Sequence, residues 1–339
     1  MPVYAFFYNH INERCDSMRY ALGLDVGGTN LSAGVVDENG MVIGHAVMPA
    51  GAGRSIAAIT SDMAEVSRRA VKNAGMEMSS MSSWGIGMPS CINPATNLLV
   101  HANCFGWRNV PIGEYLLPQI ELPLYIENDA NCAVLGEMVA GAAKSFQNVI
   151  MLTLGTGVGG GIILNGTIYA GADRMGAELG HTKLVFGGRK CTCGQSGCLD
   201  GYCSARGLVE TAAENLTEKS ALWAMCHYDI RKLEARMVTQ AVMEGDACAE
   251  SIWDLYISQL AAAIGNFIAI FRPEMIVLGG GVAKAGQLLL EPLKLKVAES
   301  TFAASEIGIP EIRLAEAGND AGIIGAAMLE QYGTKRIQS

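Results

Sequence analysis

Short apolar runs, each closed by glycine, proline or an acidic turn, set the pattern of the first third of the chain. Tyr20–Asp25 (YALGLD) predicts a buried strand. Gly27-Gly28-Thr29-Asn30 interrupts it, and Leu31–Val36 predicts a second strand. Glu38-Asn39-Gly40 is a hairpin turn signal, so Met41–Val47 is the third strand of a meander. From Ser55 to Ala74 small, apolar and charged residues mix as on a helix that stops at Gly75. Trp84–Met88, ended by Pro89, and Leu122–Ile126, ended by Glu127-Asn128-Asp129, predict further strands. A helix follows from Ala130 to about Ala143.

The same order then starts again. Asn148–Leu154 predicts a strand, Gly155-Thr156-Gly157 a loop, Val158–Leu164 a second strand, Asn165-Gly166 a turn and Thr167–Ala170 a third strand. Helices fill much of Ser204 to Phe271. One of them carries Trp253, Tyr256, Leu260, Ile264, Phe267 and Phe271 at helical spacing, which marks a core face. Met275–Leu278 is a strand ending in Gly279-Gly280-Gly281. A last strand around Ile312–Ala315 leads through Gly318-Asn319-Asp320 into a helix reaching about Tyr332. Two units of three antiparallel strands, each with a glycine-threonine loop after its first strand, form an internal repeat. Halves facing one another would bring both loops to one cleft.

The length, 339 residues, agrees with two domains, and half the residues are hydrophobic, enough for a large core. We expect residues 1–19 to be an extension outside the fold, with Met18 a possible start. Residues 20–135 plus a C-terminal helix at about 320–335 would form one α/β domain, and residues 136–319 the other. The net charge is −9 with no basic run, which argues against a nucleic-acid partner. Cys15, Cys91, Cys104, Cys132, Cys203, Cys226 and Cys248 lack framework spacing, as in a reducing cytoplasm. The start lacks the features of a secretory signal. The longest uncharged apolar run, Leu255–Phe271, includes Ser258, Gln259 and Asn266 and reads as too short and polar for a membrane span.

Between the third strand of the second unit and the helices lies HTKLVFGGRKCTCGQSGCLD, residues 181–200. Cys191, Cys193 and Cys198 fall within eight residues, with His181 ten positions upstream. One imidazole and three thiolates make a closed tetrahedral donor set, the kind that holds structural zinc. If one nitrogen of His181 binds metal, the other is fixed in tautomer and direction and is free for a polar ligand. Glu178, three positions before it, would share its face on a short helix.

These motifs resemble the ROK family of sugar kinases and repressors, within the actin-like ATPases, over about Tyr20 to the end. Asp25-Val-Gly27-Gly28-Thr29-Asn30 is similar to the group's first phosphate loop, and Leu154-Gly155-Thr156-Gly157-Val158-Gly159-Gly160-Gly161 to the second. Glu127-Asn128-Asp129-Ala130-Asn131 is similar to the catalytic segment. Glu178-Leu-Gly180-His181 with Cys191, Cys193 and Cys198 is similar to the sugar contact and zinc site. The resemblance implies an actin-like, ribonuclease H-like α/β fold: two domains, a central cleft and an inserted zinc loop. It implies ATP and magnesium, with Asp25 holding the cation through water and Gly27, Gly28, Thr29, Asn30, Gly155, Thr156 and Gly157 at the phosphates. Gly279, Gly280 and Gly281, with the Asn319-Asp320-Ala-Gly322 region, would line the adenosine.

In that family the residue matching Asp129 takes the proton of the sugar's 6-hydroxyl. Its competing role is a helix N-cap. Asn103, Asn128, Glu178, His181 and Asp200 would contact the sugar. A homodimer is also implied. Two departures bear on the sugar. Gly197-Cys198-Leu199-Asp200 ends in aspartate where the family has a glutamate that touches the sugar, and Gly87-Met-Pro89-Ser90 stands for Gly-x-Pro-Gly. The leading expectation is a hexokinase of the glucokinase type. The alternatives are a kinase for another hexose or an N-acetylhexosamine, and a non-catalytic sugar sensor. A repressor would need a DNA-binding domain ahead of Asp25, where this chain has 24 residues.

Overall fold

The computed structural model describes residues 18–90, 92–93, 96–332 and 336–337. The expected extension therefore lies almost wholly outside the described residues, as does Cys91. In the first half the strands are β1 (Tyr20–Val26), β2 (Asn30–Asp37), β3 (Val42–Pro49), β4 (Met81–Met88), β5 (Leu99–Ala102), β6 (Trp107–Val110) and β7 (Leu124–Asn128). In the second they are β8 (Val149–Leu154), β9 (Val158–Leu164), β10 (Thr167–Ile168), β11 (Met275–Gly279) and β12 (Glu311–Leu314). One sheet has the order β3-β2-β1-β4-β7 and the other β10-β9-β8-β11-β12. In both, the first three strands are antiparallel and the next two join parallel. The repeat expected from the glycine-threonine loops is thus a repeat of topology, and each loop leaves the carboxyl end of a central strand. Open α/β sheets bind ligands at such ends.

Each half has its own core. Leu22, Leu24, Ile59, Met63, Trp84 and Ile86 anchor the first. The second is built round the helix Ala247–Phe271, whose Trp253, Tyr256, Leu260, Ile264 and Phe267 are buried against Ile150, Leu152 and Leu278. That helix is longer than the apolar run suggested, and by length and composition it could cross a membrane. Its burial at those positions gives the apolar surface a different cause: it is the core of the second half.

A third core forms the seam between the halves. Cys132, Val134, Leu135 and Met138 come from the helix Asp129–Ala140, and Ile323, Ile324, Ala326 and Ala327 from the helix Ala321–Ala327. Val149, Met151, Met275 and Val277 of the second sheet close on them from one side, and Ala21, Val36 and Tyr125 from the other. The helix Ala321–Ala327 packs on β1 and β4 of the first sheet as well as on its partner helix. Glu137, fully buried, fixes the seam at one end: its carboxylate accepts the N–H groups of Ala142, Glu316 and Ala317 at 2.8–3.0 Å.

Candidate active site

Asp25 stands one residue before the end of β1, opposite Ser32 of β2 and Gly87 of β4. The chain then turns tightly, with the Gly27 N–H on the Asn30 carbonyl at 2.9 Å, and leaves Gly28, Thr29 and Asn30 exposed. The second loop closes in the same way, the Gly155 N–H meeting the Gly157 carbonyl at 3.0 Å. Between the loops opens a cleft of about 990 Å³. Asp25, Gly27, Gly28, Thr29, Asn30, Asp129, Gly157, His181, Asp200, Gly279, Gly280 and Gly281 all line it. Gly155 and Thr156 form the turn behind Gly157 and are not part of the lining.

Asn128, not Asp129, is the N-cap of the helix that follows β7: its side-chain oxygen accepts the N–H groups of Ala130 at 2.9 Å and Asn131 at 3.2 Å. Asparagine and aspartate are about equally good caps, so the competing role considered for Asp129 falls to its neighbour. The oxygen of Asn128 is therefore engaged, and only its amide N–H₂ is left for a ligand. Asp129 begins the helix and lines the cleft, its Oδ1 accepting the Ala130 N–H at 2.8 Å and its Oδ2 left for a ligand. Burial raises its carboxyl above the usual carboxylate range, against the pull of the Ala130 N–H and its own. Asp25 is pushed up to about 7, first by burial and then by the charge of Asp129. Two carboxylates on one cleft, the charge of one raising the other, beside two phosphate-type loops, make a place for a divalent cation.

Glu178 precedes the short 3₁₀ turn Leu179–His181. Burial raises its carboxyl, His181 lowers it and the charge of Asp129 raises it again, so all three share one field. Asn103 lies in the turn Asn103–Phe105 between β5 and β6; its side chain is outside the described part of the structure. The Cβ of its neighbour Cys104 would lie 3.3 Å from a Cβ added at Gly28, which brings that turn against the first loop. At the other end of the cleft, Cβ atoms added at Gly281 or Gly318 would meet nothing within 4 Å, and these two residues line an open wall with Asn319 and Gly322.

The ligand atoms of His181, Cys191, Cys193 and Cys198 lie within 4.8 Å of one another. Cys193 Sγ is 3.7 Å from Cys198 Sγ, and Cys191 Sγ is 3.7 Å from His181 Nδ1. Zinc bonds of about 2.3 Å to sulfur give tetrahedral edges of about 3.8 Å, so the donor set has the size the ion needs. Nδ1 points to the cysteines, which turns Nε2 of His181 toward the cleft it lines.

Asp200, expected at the sugar, is already engaged by protein partners. It reaches the cleft wall, but Oδ1 accepts the Val158 N–H at 2.8 Å and Oδ2 accepts from Arg206 Nη2 at 2.6 Å. A direct sugar contact would have to compete with both partners. Two further residues escaped sequence reasoning. Arg174 pairs with the buried Glu127, which also accepts the Asn128 N–H at 3.0 Å and the Asn131 amide at 3.1 Å. Lys284 lines the cleft beside the glycines that end β11. Its place one turn after Gly281 was a signal available in the sequence; the Arg174–Glu127 pairing had none.

The comparisons with known proteins agree with this geometry. The family model described as the ROK family matches residues 21–332. A glucokinase of Halalkalibacterium halodurans is 37% identical over 315 residues, 92% of this chain and 95% of that protein. A solved ROK family glucokinase from Streptomyces griseus, in complex with glucose and AMPPNP, superposes with a TM-score of 0.77 at 28% identity, covering 93% of this chain and 100% of that one. A ROK hexokinase from Thermus thermophilus gives a TM-score of 0.75 at 29% identity, over 91% and 97% of the two chains. With the repeat, the two loops and the His/Cys cluster all in place along the matched length, the chain belongs to the ROK family.

Proposed function

We infer that this protein is an ATP-dependent glucose kinase acting on the 6-hydroxyl. The observation that carries the reading is the placement of Asp129 and Asp25 across one cleft between two glycine loops. Phosphoryl transfer asks for phosphates held in line, a cation beside them and a proton acceptor at the attacking hydroxyl. The loop residues Gly27, Gly28, Thr29 and Gly157 offer backbone N–H and hydroxyl donors to phosphate oxygens. The wall of Gly279, Gly280, Gly281 and Gly318 accommodates a flat base against backbone. Asp25 would hold magnesium, which would offset charge on the phosphates.

Asp129 takes the proton of the sugar hydroxyl as its oxygen attacks the γ-phosphorus. The bond to the β-phosphate oxygen breaks, and ADP leaves with the electron pair. Glu178, the Nε2 side of His181, the amide of Asn128 and Asn103 hold the sugar's other hydroxyls. The full-length similarity to glucokinases favours glucose among the hexoses. Zinc on His181, Cys191, Cys193 and Cys198 is structural in this reading, because four protein donors leave no open position. A reducing cytoplasm suits these thiols. A homodimer would draw on the apolar side chains left exposed in the second half, such as Ile270, Leu295 and Phe302.

A coupled ADP-release assay with magnesium–ATP over glucose, fructose, mannose, allose, N-acetylglucosamine and N-acetylmannosamine tests the reading. Glucose should give the highest kcat/KM. ADP release unchanged by any of these sugars would leave the protein without its proposed reaction.

A further inference from the structure

The segment that follows the last cysteine of the zinc loop grips the second phosphate loop at both ends. Asp200 Oδ1 accepts the N–H of Val158, the residue just past that loop, at 2.8 Å. Five residues on, the Ala205 N–H donates to the carbonyl of Gly155, the residue that opens it, at 2.8 Å. The carboxylate also lies directly on the loop: a Cβ added at Gly157 would come within 2.8 Å of Asp200 Oδ1. Asp200 itself has little freedom. Its residue exposure is 4%, Arg206 Nη2 holds Oδ2 at 2.6 Å, and the Ser204 hydroxyl donates to its carbonyl at 2.6 Å. On the other side Cys191 Sγ is 3.6 Å from Oδ2, and the Gly201 N–H is bonded to the Cys198 carbonyl.

We propose that Asp200 is a positioning residue for ATP: it ties the His/Cys loop to the second phosphate loop and does not select the sugar. The short side chain is the physical reason. A glutamate would carry its carboxylate about 1.5 Å further, past the Val158 N–H and out into the cleft. The aspartate stops at the backbone of the loop, where a charge-assisted bond to an N–H is strong and geometrically specific. With this bond gone, the turn Gly155–Gly157 keeps its internal bond, its flanking strands and the Ala205 contact but loses its side-chain tether, and phosphate would have to order it further at the moment of binding. That cost falls on nucleotide affinity and leaves the sugar wall of Glu178 and His181 untouched.

The proposal rests on the reading of the cleft as an ATP and sugar site, and the test separates the two. Steady-state KM for ATP and for glucose, and calorimetric titrations with AMPPNP and with glucose, are compared for the wild type, Asp200→Ala and Asp200→Asn. Asp200→Ala should weaken AMPPNP and raise the ATP KM about tenfold or more, while glucose binding and its KM stay within about twofold. Asp200→Asn keeps an oxygen for the Val158 N–H and should show a smaller nucleotide effect of the same kind. It also keeps the test open should the alanine variant fold poorly. A glucose KM that rises as much as the ATP KM, in either variant, overturns the proposal in favour of a sugar contact. Unchanged nucleotide affinity in both variants overturns it outright. A wild type that binds neither AMPPNP nor glucose removes the kinase reading and this proposal together.

Discussion

Asp129 owes its freedom to its neighbour. Because Asn128 caps the helix, Asp129 binds only the Ala130 N–H and keeps Oδ2 for the cleft, and burial makes it a better proton acceptor than an exposed aspartate. Asp129→Asn keeps the shape and removes the acceptor, so kcat should fall by about 10²–10⁴-fold while calorimetric glucose affinity changes little. Near-normal turnover would remove Asp129 from this role. A base works deprotonated, so the acid limb of the wild-type kcat profile should lie above the ordinary carboxylate range. Asp25 gives a second pH effect, on stability. Its folded value of about 7 stands above the ordinary 3.8, so between the two the folded protein holds a proton that the unfolded chain has released. Stability present below that window is lost as pH rises through it. Without divalent cation, Asp25→Asn should melt at an increasing advantage over wild type from about pH 4 to about pH 7, then level off. An advantage that shrinks with pH would contradict the sign. The types and order of these residues were readable from the chain; which of two adjacent cap-forming residues takes the cap was decided by backbone direction after β7.

The loops differ in how much of them the sequence displays. The His/Cys loop is local: its cysteines fall within eight residues, and glycines between them allow the turn. Metal analysis should find one zinc per chain, and Cys193→Ser should lose it and lower the melting temperature. Full stability in a zinc-free wild type would contradict a structural metal. The loop before it works through contacts that no spacing encodes. Arg174 and Ala177 both sit at positive φ, 61° and 66°, a strained backbone for residues with side chains. Arg174 reaches Glu127, 47 residues away and in the other half, and Glu127 in turn holds the backbone of Asn128. The ion pair thus keeps the strained loop that ends at Glu178 against the segment that carries Asp129. Arg174→Ala leaves Glu127 buried without its partner, a change that typically costs about 3–5 kcal/mol. It should raise the glucose KM and lower the melting temperature, with less effect on the ATP KM; Arg174→Lys should restore part of both. A glucose KM equal to wild type in Arg174→Ala would show that the loop holds its shape unaided.

The two halves could be counted from the repeat of strands and glycine-threonine loops, but the way they are joined could not. The seam depends on two helices approaching until backbone meets backbone. A Cβ added at Gly325 would lie 1.7 Å from the Cys132 carbonyl oxygen, and one added at Gly136 would lie 2.0 Å from that of Ala321. Each helix therefore presents its glycine to the other's main chain, and in a linear sequence these look like weak points within helices. The usual expectation for glycine to alanine inside a helix is a gain of about 1 kcal/mol. Here the sign should reverse. Neither carbonyl can yield without shifting a whole helix, so overpacking of about 1–3 kcal/mol or more should outweigh the propensity gain. Gly325→Ala should lower the melting temperature by several degrees, since each kcal/mol moves a large domain by about 2–4 °C. Because the helix Asp129–Ala140 begins at the proposed base and the helix Ala321–Ala327 begins beside Asp25, the same variant should weaken glucose and AMPPNP together. A variant as stable as wild type, or more so, would mean that the helices do not touch at this depth, and the account of the seam as the joint between two cores would fail with it.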